Sequence, residues 1–300
     1  MVRQVMGRKK FPCRFYEVPV MEYIADSLPE DIFDLNDESV DVHSGTLYVD
    51  FTDVLGKGKF KTTHPGRVVL DAGKELTPFT NQKVCVKQIY REREGNGGIA
   101  RVEGRYELSA FVTECNCVQW ASILLDLTYQ FIAREVDRRG QPELPIPQLR
   151  YTKVMVAIVE GGDFKEKAFL VDKWIETDEA ERLFVKYINN RFPNSCVSSY
   201  ASTNARIITN FLIFSQHVQW QMTKMGAFVS DYQGQGKLLT DPQITCNPCV
   251  IHACLPAVLL ISLTTTAFTA ILPSVQGISD QPSLNFANTT SATNIVVFLN

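Results

Sequence analysis

The sequence has almost no charge in its last 59 residues, and it lacks the short motifs of several common protein classes. The chain contains 30 Lys and Arg against 33 Asp and Glu, yet Asp280 is the only charged residue after Asp241. A soluble domain needs charge on its surface, so we do not expect the last 59 residues to belong to the same folded domain as the first 241. No G-x-x-x-x-G-K-[ST] motif occurs, which argues against a P-loop fold. No internal repeat occurs, which excludes a solenoid.

Net charge and cysteine use exclude further classes. The formal charge is −3 and the isoelectric point is about 5.9, so the charge balance does not favour nucleic acid or an anionic membrane as a partner. Arg14, Glu17 and Glu22 interrupt the stretch where a secretory signal needs its apolar core, so we expect no signal peptide. The eight cysteines are then expected to be reduced, in a cytoplasmic protein.

The tail contains one membrane-like stretch. Pro242–Ser279 holds no charge, and Val250–Val275 is apolar and long enough to span a bilayer. Pro256, Pro273 and His252 dilute it, and no basic cluster flanks it to set an orientation. Two interpretations stay open, a membrane segment and a poorly specified apolar tail.

The order of predicted elements indicates an α+β protein with two lobes and a cleft between them. Residues 1–44 show no sustained period and are interpreted as an irregular lead-in segment. Strands are predicted around 46–51, 67–70, 83–90, 153–160, 167–175 and 226–234, a long helix over 106–136, a short helix over 178–192 and a buried helix over 205–222. The proline-rich segment 140–147 would join the two lobes.

Three features of the first lobe suggest a phosphate site. Gly56-Lys57-Gly58-Lys59-Phe60 lies between two predicted strands, where a backbone can bend over phosphates, although an ordinary hairpin turn has the same composition. Lys87 interrupts the apolar strand VCVKQIY and would need an anion if it pointed inward; a solvent-facing lysine is the alternative. Glu114 on the long helix could pair with Lys87 or face solvent.

The segment SDYQGQGKLLTDPQI is a further candidate region, in the second lobe. Asp231 ends a hydrophobic strand, a glycine turn follows, and Asp241 comes after it. Carboxylate and amide oxygens, such as those of Asp241 and Gln233, are ligands that suit Mg²⁺. Turn chemistry alone also produces Asp, Gly and Asp-Pro in such a segment.

Taken together, these segments resemble the alpha-kinases, a family of atypical protein kinases. The resemblance covers roughly residues 45–245 and rests on GKGKFKTTHPG, CVKQ, FLVDKWI, FVKYINN, FSQHVQW and SDYQGQGKLLTDPQI, in that order. The H-R-D and D-F-G motifs of conventional protein kinases are absent, as expected for this family. The resemblance implies a serine/threonine kinase that uses ATP and Mg²⁺ and acts on a protein substrate.

The resemblance also implies a role for each matched residue. Lys87 would contact the nucleotide phosphates with Glu114 as its partner, and Asp172 would lie at the hinge beside the adenine. Asp231 would be the catalytic aspartate, which positions the acceptor hydroxyl and takes its proton, while Gln233 and Asp241 would hold Mg²⁺. The loop that covers the phosphates would consist of Gly56, Lys57, Gly58, Lys59 and Phe60.

A zinc site is implied only in part. His217 stands where the family has the first of four zinc ligands, and the family continues with a glycine-asparagine loop and an H-x-C-x₃-C segment. Here His252 and Cys254 satisfy H-x-C, but Val258 stands where the last cysteine belongs. The spacing Cys246-x₂-Cys249-x₂-His252-x-Cys254 could bind zinc in another way, and a chance cluster is the alternative.

Two functions from different classes follow. The first is an active alpha-type serine/threonine kinase, with a kinase domain over 45–245 and an apolar tail over 246–300. The second is a pseudokinase or nucleotide-binding scaffold that has the lobes without turnover, because the family ending is missing. Tethering to a membrane through residues 250–275 is possible for either function.

Overall fold

The computed structural model describes residues 8–19, 33–71, 79, 81–92, 99–142, 145–175, 184–190, 195–198 and 201–246. These residues form β-strands and two long α-helices, with one short 3-10 helix at Gly162–Phe164. In chain order the elements are β1 (Arg8–Glu17), β2 (Val42–Asp50), β3 (Gly56–Lys57), β4 (Lys61–Leu70), β5 (Lys83–Glu92), β6 (Ile99–Arg101), α1 (Gly104–Arg139), β7 (Arg150–Tyr151), β8 (Val154–Val159), β9 (Ala168–Lys173), β10 (Val185–Ile188), α2 (Thr203–Met222), β11 (Ala227–Gln235) and β12 (Leu238–Cys246).

Six antiparallel strands close into a barrel that forms the first lobe. The order around the barrel is β4, β2, β1, β8, β9 and β5, and β5 pairs back with β4. Because successive side chains on a strand point to opposite faces, every second residue fills the barrel interior. The interior side chains include Phe15, Leu47, Val68, Val86 and Phe169, which are almost completely buried. The barrel therefore has an apolar core of its own.

Gly66 allows the barrel to close where β4 lies between β2 and β5. It pairs with Val49 on one side and with Val84 on the other. A Cβ atom at this position would lie 2.5 Å from Cγ2 of Val86 and 2.8 Å from the carbonyl oxygen of Tyr48. Only glycine permits this close approach, so the strand order depends on it.

The 36-residue helix α1 packs against both lobes. Its first half buries Phe111 and Cys115 against the outer wall of the barrel. Its second half buries Leu124 and Leu125 in the core of the second lobe. Among the described helices, α1 alone is long and apolar enough to cross a membrane, but most of its apolar stretch is buried inside the protein. We therefore interpret α1 as the core helix that the two lobes share.

The second lobe is a four-stranded sheet covered by α2. The strand order is β10, β11, β12 and β7, with β7 parallel to β12 and the other pairs antiparallel. Gln219 of α2 is fully buried; its Oε1 accepts a hydrogen bond from the backbone amide of Val229 at 2.9 Å, and its Nε2 donates to Oγ of Ser215 at 2.8 Å. These bonds satisfy the buried amide and fix α2 over β11.

A buried ion pair fixes the start of α1 on the barrel. Glu107 is 0% exposed, and its carboxylate accepts hydrogen bonds from Arg101 Nε at 3.0 Å and Nη2 at 2.9 Å. Its oxygens also accept hydrogen bonds from the backbone amides of Ile89 at 3.3 Å and Ala168 at 3.2 Å. Burial raises the pKa of Glu107, and the charge of Arg101 opposes that shift.

The two-lobed α+β architecture predicted from the element order is confirmed. The predicted long helix and the buried helix correspond to α1 and α2. The expectation of irregular structure over residues 1–44 is wrong for Arg8–Glu17, which forms β1 inside the barrel. Phe11, Cys13 and Phe15 alternate on its inner face, but Pro12 and Arg14 stand between them and three basic residues precede them, which conceals the pattern.

A second local prediction is also wrong. Val185–Ile188, inside the short helix predicted over 178–192, forms β10 because it pairs with β11. Residues 176–183 and 247–300 lie outside the described residues, and so does the apolar stretch Val250–Val275. The domain limits 1–44, 45–245 and 246–300 stay predictions.

Replacing Glu107 by Gln is expected to lower the free energy of unfolding by about 3 kcal/mol, because Arg101 then stays buried without a charged partner. The matched control is Glu103→Gln, since Glu103 and Arg105 form an exposed pair at 3.9 Å whose loss is expected to cost about 1 kcal/mol or less. Urea unfolding of the three proteins gives the comparison. Equal losses in the two variants would contradict the structural role of Glu107.

Candidate active site

Five charged side chains meet between the barrel and the second lobe. Lys61 comes from β4, Lys87 from β5, Asp172 from β9, Glu114 from α1 and Asp241 from β12. Lys61 Nζ lies 2.9 Å from Glu114 Oε1 and 3.0 Å from Asp241 Oδ1. Lys87 Nζ lies 2.7 Å from Asp172 Oδ2 and 3.5 Å from Asp241 Oδ1. We name these five residues the charge cluster, in which Asp241 contacts both lysines.

Strand alternation places both lysines on the outer wall of the barrel. On β5, Val86 points into the barrel, so Lys87 points outward toward α1. The β4–β5 register pairs Thr63 with Lys87 and Lys61 with Ile89. Lys61 therefore lies one step along the ladder on the same face as Lys87, within reach of a shared partner.

Opposite charges outweigh burial for three members of the cluster. Burial alone would lower the pKa of Lys87, but Asp172 and Asp241 hold it above its ordinary value. Burial also acts to lower the pKa of Lys61, and Glu114 and Asp241 reverse that effect. Burial alone would raise the pKa of Asp241, but Lys87 and Lys61 hold it well below its ordinary value. These three groups are therefore charged at neutral pH.

The pKa of Glu114 is shifted in the opposite direction from that of Asp241. Burial raises its pKa above the ordinary value, although Lys61 and Lys87 act in the opposite direction. Its carboxyl group is thus more easily protonated than an exposed glutamate when the charges around it change.

A β-bulge aims Asp241 at the lysines. In the β11–β12 ladder, Gln233 pairs with Thr240 and Asp231 pairs with Gln243, so β12 has one residue more than β11 between these pairs. Asp241 takes up this extra length with a φ of +53°, in the left-handed region that Asp tolerates better than most residues. The proline that follows has no N–H group to lose from the ladder.

Asp231 connects to the charge cluster through a chain of polar contacts. It is buried on β11 and forms an ion pair with Lys186 of β10. Lys186 Nζ also donates to Gln233 Oε1 at 3.2 Å, and Gln233 Nε2 donates to Asp241 Oδ2 at 3.0 Å. Burial raises the pKa of Asp231, while the hydrogen bond and charge of Lys186 oppose that rise.

The charge cluster surrounds a small cavity of about 10 Å³. This is about the space of one water molecule. Val154, Leu170 and Gln243 form part of its remaining wall. Glu114 Oε2 and Asp172 Oδ1 are buried and accept no hydrogen bond within the described part of the chain. A buried acceptor without a donor is costly, so the site favours a ligand that donates there.

Comparison with protein families identifies the arrangement. The family model described as "Alpha-kinase family" matches residues 56–248, more than half of the chain, and this range contains every residue of the charge cluster. The chain belongs to the alpha-kinase family. It is therefore a protein kinase, an ATP-binding transferase. The strands β1 and β2 precede the matched range, although they supply two of the six strands of the barrel.

Similar solved structures are alpha-kinase domains of myosin heavy chain kinase A. The complex with AMP is 12% identical, covers 80% of this chain and 86% of that chain, and has a TM-score of 0.46. The complex with AMP-PNP is 13% identical, with coverage of 80% and 84% and a TM-score of 0.47. The family match carries the assignment, because similarity at these TM-scores adds no argument of its own. Comparison with curated proteins gave no significant match.

The alpha-kinase glycine loop lies at the edge of the charge cluster. Gly56 and Lys57 form β3, an exposed edge strand paired with β4, and the amide of Gly58 donates to the carbonyl of Lys61 at 2.8 Å. The hydroxyl of Tyr90 donates to the carbonyl of Gly58 at 2.5 Å. The loop is thus a hairpin, and the same hairpin brings Lys61 to the site.

The structure corrects the predicted pairing within the cluster. Glu114 was expected to pair with Lys87, but its ion pair is with Lys61. Lys87 instead pairs with Asp172 on the neighbouring strand β9, which lies closer to it than α1 does. Asp172 also accepts a hydrogen bond from Thr240 Oγ1 at 3.1 Å, so it joins the barrel to the second lobe.

The structure does not support the expected zinc site. His217 lies half-buried on α2, and burial lowers its pKa. Among the residues that the structure describes, no group of three or more His, Cys, Asp and Glu could hold a metal. Of the other ligands considered, Cys246 is buried at the end of β12, and Cys249, His252 and Cys254 lie outside those residues.

Sequence reasoning missed two lysines of the site. Lys186 interrupts the apolar segment FVKYI in the same way that Lys87 interrupts VCVKQI, and this signal could have identified it. Lys61 follows the glycine loop by one residue, but its role depends on how β4 pairs with β5. That register is not visible in the sequence.

Replacing Asp241 by Asn is expected to lower the free energy of unfolding at neutral pH, because the buried Lys87 and the partly buried Lys61 lose a shared anion. The pKa of Asp241 is lower in the folded than in the unfolded protein. Its stabilisation is therefore present above the unfolded value of about 3.9 and is lost as the pH falls below it.

Urea unfolding between pH 3 and pH 7 measures this difference, which is expected to shrink on acidification. Asp163→Asn, at an exposed position, is the control and is expected to change stability by less than about 0.5 kcal/mol. A difference between Asp241→Asn and wild type that grows as the pH falls would contradict the charge assignment.

Proposed function

We propose that this alpha-kinase is an active, ATP-dependent serine/threonine kinase that transfers the γ-phosphate of ATP to a protein hydroxyl. One observation carries the proposal: a continuous contact chain runs from Asp231 through Lys186, Gln233 and Asp241 and ends on two lysines of the barrel, Lys61 and Lys87. Phosphoryl transfer needs an oriented nucleophile at one end and phosphate-neutralising groups at the other. This chain provides both within one site.

Asp231 is proposed as the residue that orients the acceptor hydroxyl and takes its proton. Burial raises the pKa of this carboxylate, which makes it a better base than an exposed Asp. Lys186 contacts the same carboxylate, so it fixes the side chain and limits the cost of a buried negative charge.

Lys61 and Lys87 are proposed to bind the nucleotide phosphates. Each now has carboxylate partners, and the cavity between them has a volume of only about 10 Å³. Phosphates must therefore take over these lysine contacts or separate the two lobes. The loop Gly56–Phe60 would close over the phosphates from the edge strand, with Lys57 and Lys59 exposed beside it.

Gln233 and Asp241 are proposed to hold Mg²⁺, which would neutralise charge on the phosphates. The residues fit such an ion because Asp241 is ionised and both side chains carry oxygen ligands. Gln233 now turns Nε2 toward Asp241, so both oxygens could share one ion only after its amide turns over. Lys186 would then face the amide nitrogen and keep Asp231 as its partner.

Asp172 is proposed to contact the adenine. Its Oδ1 is buried and accepts no hydrogen bond within the described residues, so it is available to the exocyclic amine of the base.

A cytoplasmic location is also proposed. The described cysteines are free thiols, in line with this location: Cys13, Cys85, Cys115, Cys117, Cys196 and Cys246.

Asp231→Asn tests the proposal directly. This change keeps the shape of the side chain but removes the base, so transfer of γ-phosphate to a basic protein substrate is expected to fall by at least about 100-fold. Binding of MgATP, measured by calorimetry, is expected to persist. Asp163→Asn serves as the control and is expected to transfer phosphate like wild type.

Each alternative result has a definite meaning. Equal transfer by wild type and Asp231→Asn would contradict the role of Asp231. A wild-type protein that binds MgATP but transfers no phosphate would be a nucleotide-binding scaffold, and the proposed activity would be wrong.

A further inference from the structure

Gln243 of β12 lies in the wall of the cavity that the charge cluster surrounds. It follows the Asp241 bulge and stands opposite Asp231 in the β11–β12 ladder. Side chains at directly opposite ladder positions have Cβ atoms about 5 Å apart. The amide of Gln243 is therefore placed between the proposed base and the residues proposed to bind phosphate.

Asn190 fixes the orientation of that amide. Asn190 Nδ2 donates to Gln243 Oε1 at 2.6 Å. The backbone of Gln243 is also held, because Ser230 Oγ donates to its carbonyl oxygen at 3.2 Å. Because Oε1 already accepts this hydrogen bond, the group that Gln243 can offer to a ligand is the amide NH₂ at Nε2, which donates no hydrogen bond within the described part of the chain.

We propose that Gln243 contacts the phosphoryl group that is transferred, through a hydrogen bond from Nε2 to one of its oxygens, and that Asn190 is the positioning residue for this contact. The inference rests on the proposed kinase function. The group that lies between a base at Asp231 and phosphate-binding lysines at Lys61 and Lys87 is the terminal phosphate. A neutral amide can donate to it without adding charge to a site that is already dense in charges.

Leucine at position 243 keeps much of the side-chain volume and removes the donor. For Gln243→Leu, the affinity for Mg-AMP-PNP is expected to fall about tenfold, as for one lost hydrogen bond to a charged group. The affinity for Mg-ADP is expected to stay within about twofold, because ADP has no terminal phosphate for this contact. Calorimetry gives both affinities without depending on turnover.

Activity supplies the second readout. For Gln243→Leu, kcat for γ-phosphate transfer is expected to fall by about 100-fold, as for loss of one donor to a developing charge. Asn190→Ala is expected to shift the same quantities in the same direction by a smaller factor. The double variant is expected to be no worse than Gln243→Leu, because Asn190 acts only through Gln243.

Asn189→Ala is the matched control for Asn190→Ala. Asn189 is the preceding residue, and its Nδ2 donates a hydrogen bond to Cys196 Sγ at 3.2 Å. It is expected to leave both affinities and kcat unchanged. An effect of Asn189→Ala as large as that of Asn190→Ala would mean a general structural role and would overturn the positioning assignment.

The inference and the proposed function fail in different ways. Equal weakening of Mg-AMP-PNP and Mg-ADP in Gln243→Leu, or no weakening of either, would overturn the terminal phosphate contact while wild-type transfer still supported the kinase. A wild-type protein that binds neither nucleotide would overturn the proposed function and this inference with it.

Discussion

The two lobes of this protein meet at one carboxylate, that of Asp241, which two lysines from the other lobe hold in place. Lys61 and Lys87 lie on the outer wall of the barrel, and a bulge with a left-handed backbone carries Asp241 to them. Buried charges are stable only when they are paired and close together. The same requirement joins the lobes and concentrates in one place the groups that phosphoryl transfer needs. Stability and function therefore depend on the same contact.

The helix α1 contributes to both stability and function through two glutamates on one of its faces. Glu107 and Glu114 are seven residues apart, which is about two turns, so both point toward the barrel. Glu107 is matched by Arg101 and two backbone amides, and it anchors the helix. Glu114 has Lys61 as its only ion-pair partner in the described structure and retains an oxygen without a donor. The first glutamate is a structural residue, whereas the second remains available for a change of partners when a ligand enters.

Sequence patterns were sufficient to predict the elements that bury one face and expose the other. They were also sufficient to predict the site residues that lie in distinctive motifs. The spacing of apolar residues predicted α1 and α2, and the Asp-Pro segment pointed to Asp231, Gln233 and Asp241. The strand β1 was not predicted because Pro12 and Arg14 separate the inward Phe11, Cys13 and Phe15, and three basic residues precede them. The strand β12 was not predicted because Pro242 argues against a strand, and only a bulge accommodates this proline. The choice of Lys61 rather than Lys87 as partner of Glu114 depends on barrel closure, a long-range property that no local pattern records.

The central claim is that the lysines which now hold Asp241 are the phosphate site of the enzyme. A crystal structure with Mg²⁺ and AMP-PNP tests it most directly. In this complex, we expect phosphate oxygens within hydrogen-bond distance of both Lys61 and Lys87. Asp241 is expected to be released from the lysines and to face the metal. Nucleotide bound elsewhere, with the Lys61–Asp241 and Lys87–Asp172 pairs intact, would contradict it.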